Sequence, residues 1–197
     1  MFLSPSGKKG FTFIELAVTV GVFAILSTLA VGNFRNTTKA LSLNSLANLI
    51  ASDIRRAQVK GISNQSYPDT NYIAPAIGIS FDTTYVTAYM MFSDTDGNFI
   101  NNNLGAACAG ECTERLVIKD GSKISHIYAK RTAGGTIKSL DSLHFTFQRP
   151  DPEPMIKGKE NDLITRDYYY AEIWLTSRDN LLTKKIVVWK TGMVAIQ

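Results

Sequence analysis

The sequence predicts an α+β chain: one long amino-terminal helix, then a domain of antiparallel strands. Three observations lead there. Residues 11–34 form a 24-residue apolar run with a single charge, Glu15. Leu43, Leu46, Ala47, Ile50, Ile54 and Ala57 then recur at the three-and-four spacing of a helix face. Beyond residue 63, apolar and polar residues alternate in short runs bounded by turn residues, which is the period of strands.

The first half of the helix, 11–34, is roughly 36 Å long at about 1.5 Å per residue, enough to cross a hydrocarbon layer about 30 Å thick. Gly21, Gly32 and Asn33 weaken it locally. The second half, 35–62, is amphipathic: Asn44, Asn48, Asp53, Arg55, Arg56 and Lys60 occupy much of the surface outside the apolar stripe. Gly61, Ser63 and Asn64 are expected to end it. The stripe has to pack on something, and the downstream β domain is the natural candidate. That domain, 63–197, has about 135 residues, enough for one globular unit and short for two.

Within it, Ile77, Ile79 and Phe81 alternate with Gly78 and Ser80, and 85–92 supplies a second strand. Residues 124–129 form a third, and Leu143, Phe145 and Phe147 mark a fourth. Tyr169, Ala171, Ile173 and Leu175 form one face of a fifth. Arg178, Asp179 and Asn180 then turn the chain into 184–190, and 193–196 adds a short last strand. Pro150, Pro152 and Pro154, continuing to Asp162, read as a polar surface loop.

Glu15 is the costly residue. An ionised group at the centre of a membrane-length helix costs about 2.5–3.5 kcal/mol, and less near an end. It therefore asks for a partner. If the chain is cut between Gly10 and Phe11, Glu15 becomes the fifth residue, one helical turn from a new α-amino group. In rods stacked with an axial offset, the carboxylate of one meets the amine of the next. Lys8 and Lys9 would hold the removed segment on the cytoplasmic side.

Gly10-Phe11-Thr12-Phe13-Ile14-Glu15-Leu16, behind that basic pair, resembles the prepilin cleavage and methylation motif of type IV pilins and type II secretion pseudopilins. The resemblance implies a pilin fold, in which a long helix packs on an antiparallel sheet. It also implies that a membrane prepilin peptidase removes the leader 1–10 and N-methylates Phe11. The implied partners are that peptidase, other pilins or pseudopilins in a helical polymer, and an inner-membrane assembly platform. The chain would cross the inner membrane once with its β domain outward, and later stand in a periplasmic or cell-surface filament. Many pilins carry proline where this chain has Gly32, so loosening of the helix there does not carry over.

A secretory signal peptide is the alternative, with Ala30-Val31-Gly32 as a cleavage site. The apolar run exceeds the usual signal core of about 7–15 residues, and Glu15 would lie inside that core. A plain anchor fits the length and leaves Glu15 without a role.

The outer domain is similar to the minor pseudopilin H and FimT-like group. Met91-Phe92-Ser93-Asp94-Thr95-Asp96-Gly97-Asn98 runs a strand into an Asp- and Gly-rich turn, and Val188 to Val194 closes on a strand–glycine–strand hairpin. In that group, subunits that take up DNA use basic residues near the carboxyl terminus. Lys184, Lys185 and Lys190 are basic here, but Met193, Val194 and Ala195 follow Gly192, so a solvated hairpin face is favoured over DNA capture.

Asp94, Asp96 and Asn98 offer the hard oxygens that calcium favours, without the twelve-residue calcium-loop pattern. A turn capped by their side chains is the favoured role, with calcium as the alternative. Cys108 and Cys112 are the only cysteines; outside a membrane, a close pair favours a loop disulfide over free thiols. His126 and His144 have no serine elbow, phosphate loop or metal-ligand spacing beside them, so no enzyme and no cofactor is expected. The net charge is +4, and losing Lys8 and Lys9 from the 21 basic residues leaves 19 against 17 acidic. That near-balance does not by itself imply nucleic acid.

Overall fold

A computed structural model describes residues 10–63, 75–105, 107–161 and 165–197, with side chains 30–36 outside that set. Met1–Lys39 and Ala40–Gln197 are two compact units, each treated by itself. The backbone of helix α1 is continuous over Phe13–Ser63. In the first unit its apolar side chains stay exposed on all sides: Phe13, Ile14, Leu16, Val18, Val20, Phe23, Leu26 and Leu29 are each more than half accessible. Among the described residues no helix is long and apolar enough to cross a membrane. The expected span, 11–34, continues into side chains 30–34, which lie outside the described residues.

In the second unit the helix behaves as its spacing predicts. Leu43, Leu46, Ala47, Ile50, Ile54 and Ala57 are buried in one core with both sheets, while Leu41, Leu49 and Val59 face out. The helix passes Gly61 and ends at Ser63. Gly61 serves close approach instead: a Cβ there would lie 2.5 Å from the Phe147 carbonyl oxygen. Glycine lets the last turn sit directly on that strand's backbone.

The strands are β1 (Ala76–Asp82), β2 (Ala88–Asp94), β3 (Cys112–Val117), β4 (Lys123–Lys130), β5 (Lys138–Ser139), β6 (Ser142–Gln148), β7 (Asp151–Lys159), β8 (Thr165–Tyr168), β9 (Tyr170–Thr176), β10 (Thr183–Trp189) and β11 (Val194–Ile196). They build two antiparallel sheets, ordered β3-β2-β1-β6-β7-β8 and β11-β10-β9-β4-β5. Ile79, Phe81, Met91, Leu143, Phe145 and Ile156 of the first sheet share the core with Ile127, Ala171, Ile173, Leu175, Ile186 and Val188 of the second.

Three expectations need correction. Tyr169, expected on one strand face with Ala171, Ile173 and Leu175, is an exposed bend residue that precedes β9. The strand expected at 85–92 begins only at Ala88, because Asp82 caps a turn: its backbone and side-chain oxygens accept from Tyr85 and Thr84 at 3.2 and 2.6 Å. The proline-rich stretch expected as a loop is β7, paired with β6 and β8. Its inward residues Pro154, Ile156 and Gly158 are buried. Its prolines fall where the β6 ladder shifts register, between Thr146 and Gln148, so the missing N–H donors interrupt little pairing.

Polar contacts tie helix to sheet. Buried Asp53 accepts from the Tyr89 hydroxyl at 2.7 Å, and Arg56 bridges Asp53 and Glu114 at 3.1 and 3.2 Å. Ser42 donates to Asp120 at 2.5 Å, and Gln58 to the Pro152 carbonyl at 2.9 Å. The outer face of the first sheet is covered by the excursion between β2 and β3. Asn101 donates from its backbone to His144 Nδ1 at 3.2 Å and from its amide to Ser80 at 3.1 Å; Thr146 donates to the Phe99 carbonyl at 3.0 Å.

Candidate functional site

The amino-terminal site is built on the first turn of α1. Thr12 is the residue before the helix, and its hydroxyl accepts from the Glu15 backbone N–H at 3.3 Å. Its carbonyl accepts from Leu16 N–H at 3.1 Å, which starts the helical ladder. Thr12 is therefore an N-cap and Glu15 stands at the third helical position, the Thr-x-x-Glu spacing of a capping box. A carboxylate there also meets the positive end of the helix dipole. Sequence reasoning gave Glu15 one role and overlooked Thr12, although the spacing was in plain view. Gly10 and Phe11 precede the cap and are exposed. Lys8 and Lys9 lie outside the described residues.

Residues 5–31 match the family model of the prokaryotic N-terminal methylation motif. The match brackets the Gly10–Phe11 bond, the cap and Glu15, and supports a type IV pilin-like chain. It covers the amino-terminal motif alone, so the subtype of the outer domain is not part of it. No curated protein and no solved structure matches the chain.

The acidic loop is organised as a set of caps. Asp94, almost fully buried, accepts from Gly97 and Phe99 N–H at 3.0 and 3.1 Å. Asp96 accepts from Asn98 N–H at 3.1 Å and from the Asn98 and Asn102 amides at 2.8 and 2.7 Å. Asn98 spends its own oxygen on Ile100 N–H at 2.8 Å. Glu111, which sequence reading did not select, joins Asp94 and Asp96, their oxygens all within 4.8 Å of one another. It accepts from Thr95 N–H at 2.9 Å and Asn102 N–H at 3.3 Å. Burial first, with Asp96 and Glu111 adding to it, pushes the Asp94 carboxyl up. Burial opposes ionisation of Asp96, but the Asn98 and Asn102 donors outweigh it and hold that group below its ordinary value. The hydrogen bonds are those of a capped turn.

Cys108 and Cys112 are joined in a disulfide, with Cα atoms 5.2 Å apart at the foot of the same excursion. His144 is buried and neutral: burial first, then the charge of Lys159, pushes it down to about 3. His126 is exposed and stacks on Tyr128 at 5.7 Å.

The carboxy-terminal lysines do not form one patch. Lys184 and Lys185 are adjacent on β10 and so point to opposite faces, and Lys190 follows the strand. Lys185 pairs with Glu172 at 3.2 Å and lies 5.6 Å from the Trp174 ring centroid. Glu172 also accepts from Trp174 Nε1 at 2.7 Å and from the Tyr170 hydroxyl.

Proposed function

We propose that this chain is a structural minor pilin or pseudopilin. Prepilin peptidase cuts between Gly10 and Phe11 and methylates Phe11. Residues 11–34 store the processed chain in the inner membrane, and α1 then carries it into a helical polymer with other pilins. The outer domain faces away from the filament axis, and the GspH/FimT-like group is the subtype its turn and closing hairpin suggest. The observation that carries the reading is the methylation motif at the start of a helix whose apolar side chains stay exposed on every side. A helix apolar all round is at home only in lipid or among other helices.

The alternative, DNA capture through Lys184, Lys185 and Lys190, has less support. Lys185 is neutralised by Glu172, and strand alternation separates it from Lys184. An exported enzyme has no constellation of catalytic side chains among the described residues to recommend it.

The test is the mass and amino-terminal residue of the mature chain in its host. The reading expects N-methyl-Phe11 as the first residue. A pool still carrying Met1 through Gly10, or a chain starting at Asn33, overturns it.

A further inference from the structure

The outward face of the second sheet carries aromatic rings and lysines from β4, β9 and β10. Buried Glu172 organises it by taking hydrogen bonds from Tyr170, Trp174 and Lys185. These donors outweigh the effect of burial and hold its carboxyl below the ordinary value. At one end of the face lies a hollow of about 230 Å³ lined by Lys130, Thr132, Ala133, Tyr169, Tyr170 and Trp189.

We propose that this hollow binds the ring of an acidic sugar, a uronate-type pyranose. It goes beyond the filament role and does not depend on it.

The walls are aromatic and fixed. Tyr170 and Trp189 meet edge to face with centroids 5.8 Å apart, and Tyr170 is anchored through its hydroxyl to Glu172. The backbone of the rim is pinned as well: Tyr169 N–H donates to the Lys130 carbonyl at 2.8 Å, and Lys190 N–H to the Tyr169 carbonyl at 2.9 Å. Preorganised aromatic surface takes an apolar ring face at little ordering cost. The C–H face of a pyranose is such a surface, and the Thr132 hydroxyl at the rim suits its hydroxyl groups.

Charge selects the acidic form. Lys130 is the one ionised side chain lining the hollow, 5.7 Å from the Tyr170 ring centroid and without an ion pair among the described residues. The nearby carboxylate, Glu172, is already satisfied by three donors. An anionic group entering beside Lys130 therefore gains a charge-assisted hydrogen bond without breaking an ion pair; the ammonium's existing contact is with the Tyr170 ring.

Size and charge count argue against a nucleic acid strand, which needs a row of cations beside stacked bases. The hollow is smaller than drug-sized sites of about 300–1,000 Å³. It offers one cation, and Lys185 on the same face is held by Glu172.

The test is calorimetric titration of the full chain in detergent micelles with trigalacturonate, neutral galactotriose and a thymidine oligonucleotide. Saturable binding of trigalacturonate is expected, weakened by salt and favoured over both other probes. Lys130→Met should weaken it at least about tenfold, the effect of losing a charged hydrogen bond, and Lys130→Arg should restore most of it. An unchanged melting curve for Lys130→Met confirms that the fold is intact; if that variant does not fold, the Lys130→Arg titration and the salt dependence decide. No saturable trigalacturonate binding, equal binding of folded Lys130→Met, or preference for either other probe overturns the proposal.

Discussion

Glu15 now has two physical roles that a single truncation cannot separate. At the third helical position its backbone N–H is capped by Thr12, and its side chain has the spacing of a capping box and faces the positive end of the helix dipole; as a buried charge it would pair with the amine of a neighbouring subunit. Glu15→Gln divides them, because glutamine keeps the capping capacity and loses the charge. Thr12→Ala is the converse: it removes the hydroxyl that accepts from Glu15 N–H at 3.3 Å and leaves the carboxylate alone. That bond is long and exposed, so its loss should cost about 0.5–1 kcal/mol, at most about fivefold in an equilibrium. Losing the charge pair while the amine stays buried should cost about 2 kcal/mol or more, about thirtyfold. The assay is the ratio of filament-incorporated to membrane-stored chain in the host, with mass spectrometry confirming cleavage at Phe11. Glu15→Gln and Glu15→Ala should both be cleaved and both incorporate poorly, while Thr12→Ala incorporates within a few-fold of the wild-type chain. Normal incorporation of Glu15→Gln would refute the charge-pairing argument and leave the cap as the reason for the residue.

Two further outcomes follow from the outer domain. Gly61→Ala should destabilise the chain by about 1–2 kcal/mol, because the new Cβ would press on the Phe147 backbone at 2.5 Å and overpacking outweighs the helix propensity gained. Chemical denaturation checks this, and a rise in stability would show that the last turn can shift off β6. Glu172→Gln should lower stability by about 1–3 kcal/mol near neutral pH. Because Glu172 is held below its ordinary 4.5 in the fold, its contribution is present above that value and lost as pH falls through the folded one. The gap between wild type and variant should therefore close on acidification; a gap that stays constant with pH would mean the charge is not what stabilises the network.

The helix and most of the core were legible because they rest on periodicity. The stripe from Leu43 to Ala57 is buried as its spacing requires, and Ile79, Phe81, Leu143, Phe145, Ala171, Ile173 and Leu175 all point inward. What failed was composition used in place of period. Pro152 and Pro154 read as loop, yet Pro154, Ile156 and Gly158 keep the alternation of β7. Gly61 read as a terminator, yet its reason is the distance to Phe147, which no local signal contains. The Thr12 cap is legible too, because Thr-x-x-Glu before an apolar run is a local signal. The amino-terminal motif needed no tertiary structure to be read, whereas the hollow beside Trp189 joins β4, β9 and β10 and could not be seen in one segment.

The excursion between β2 and β3 shows why Asp94, Asp96 and Asn98 suggested calcium. The segment crosses the outer face of the first sheet and buries Ser80, His144 and Thr146 beneath it. A chain lying across a sheet without adding a strand leaves its backbone N–H groups unpaired, and burial makes each one costly. Short side chains ending in oxygen are the local remedy. Asp94 serves Gly97 and Phe99, Asp96 serves Asn98, Asn98 serves Ile100, Asn101 serves Asn103, and Glu111 serves Thr95 and Asn102. Burial pushes Asp94 up and the carboxylates gathered beside it add to that, while the Asn98 and Asn102 donors hold Asp96 down against its own burial. The same oxygens that a hard cation would use accept hydrogen bonds here, from backbone N–H groups and, at Asp96 Oδ2, from the Asn98 and Asn102 amides, so the covering of a sheet face accounts for the composition.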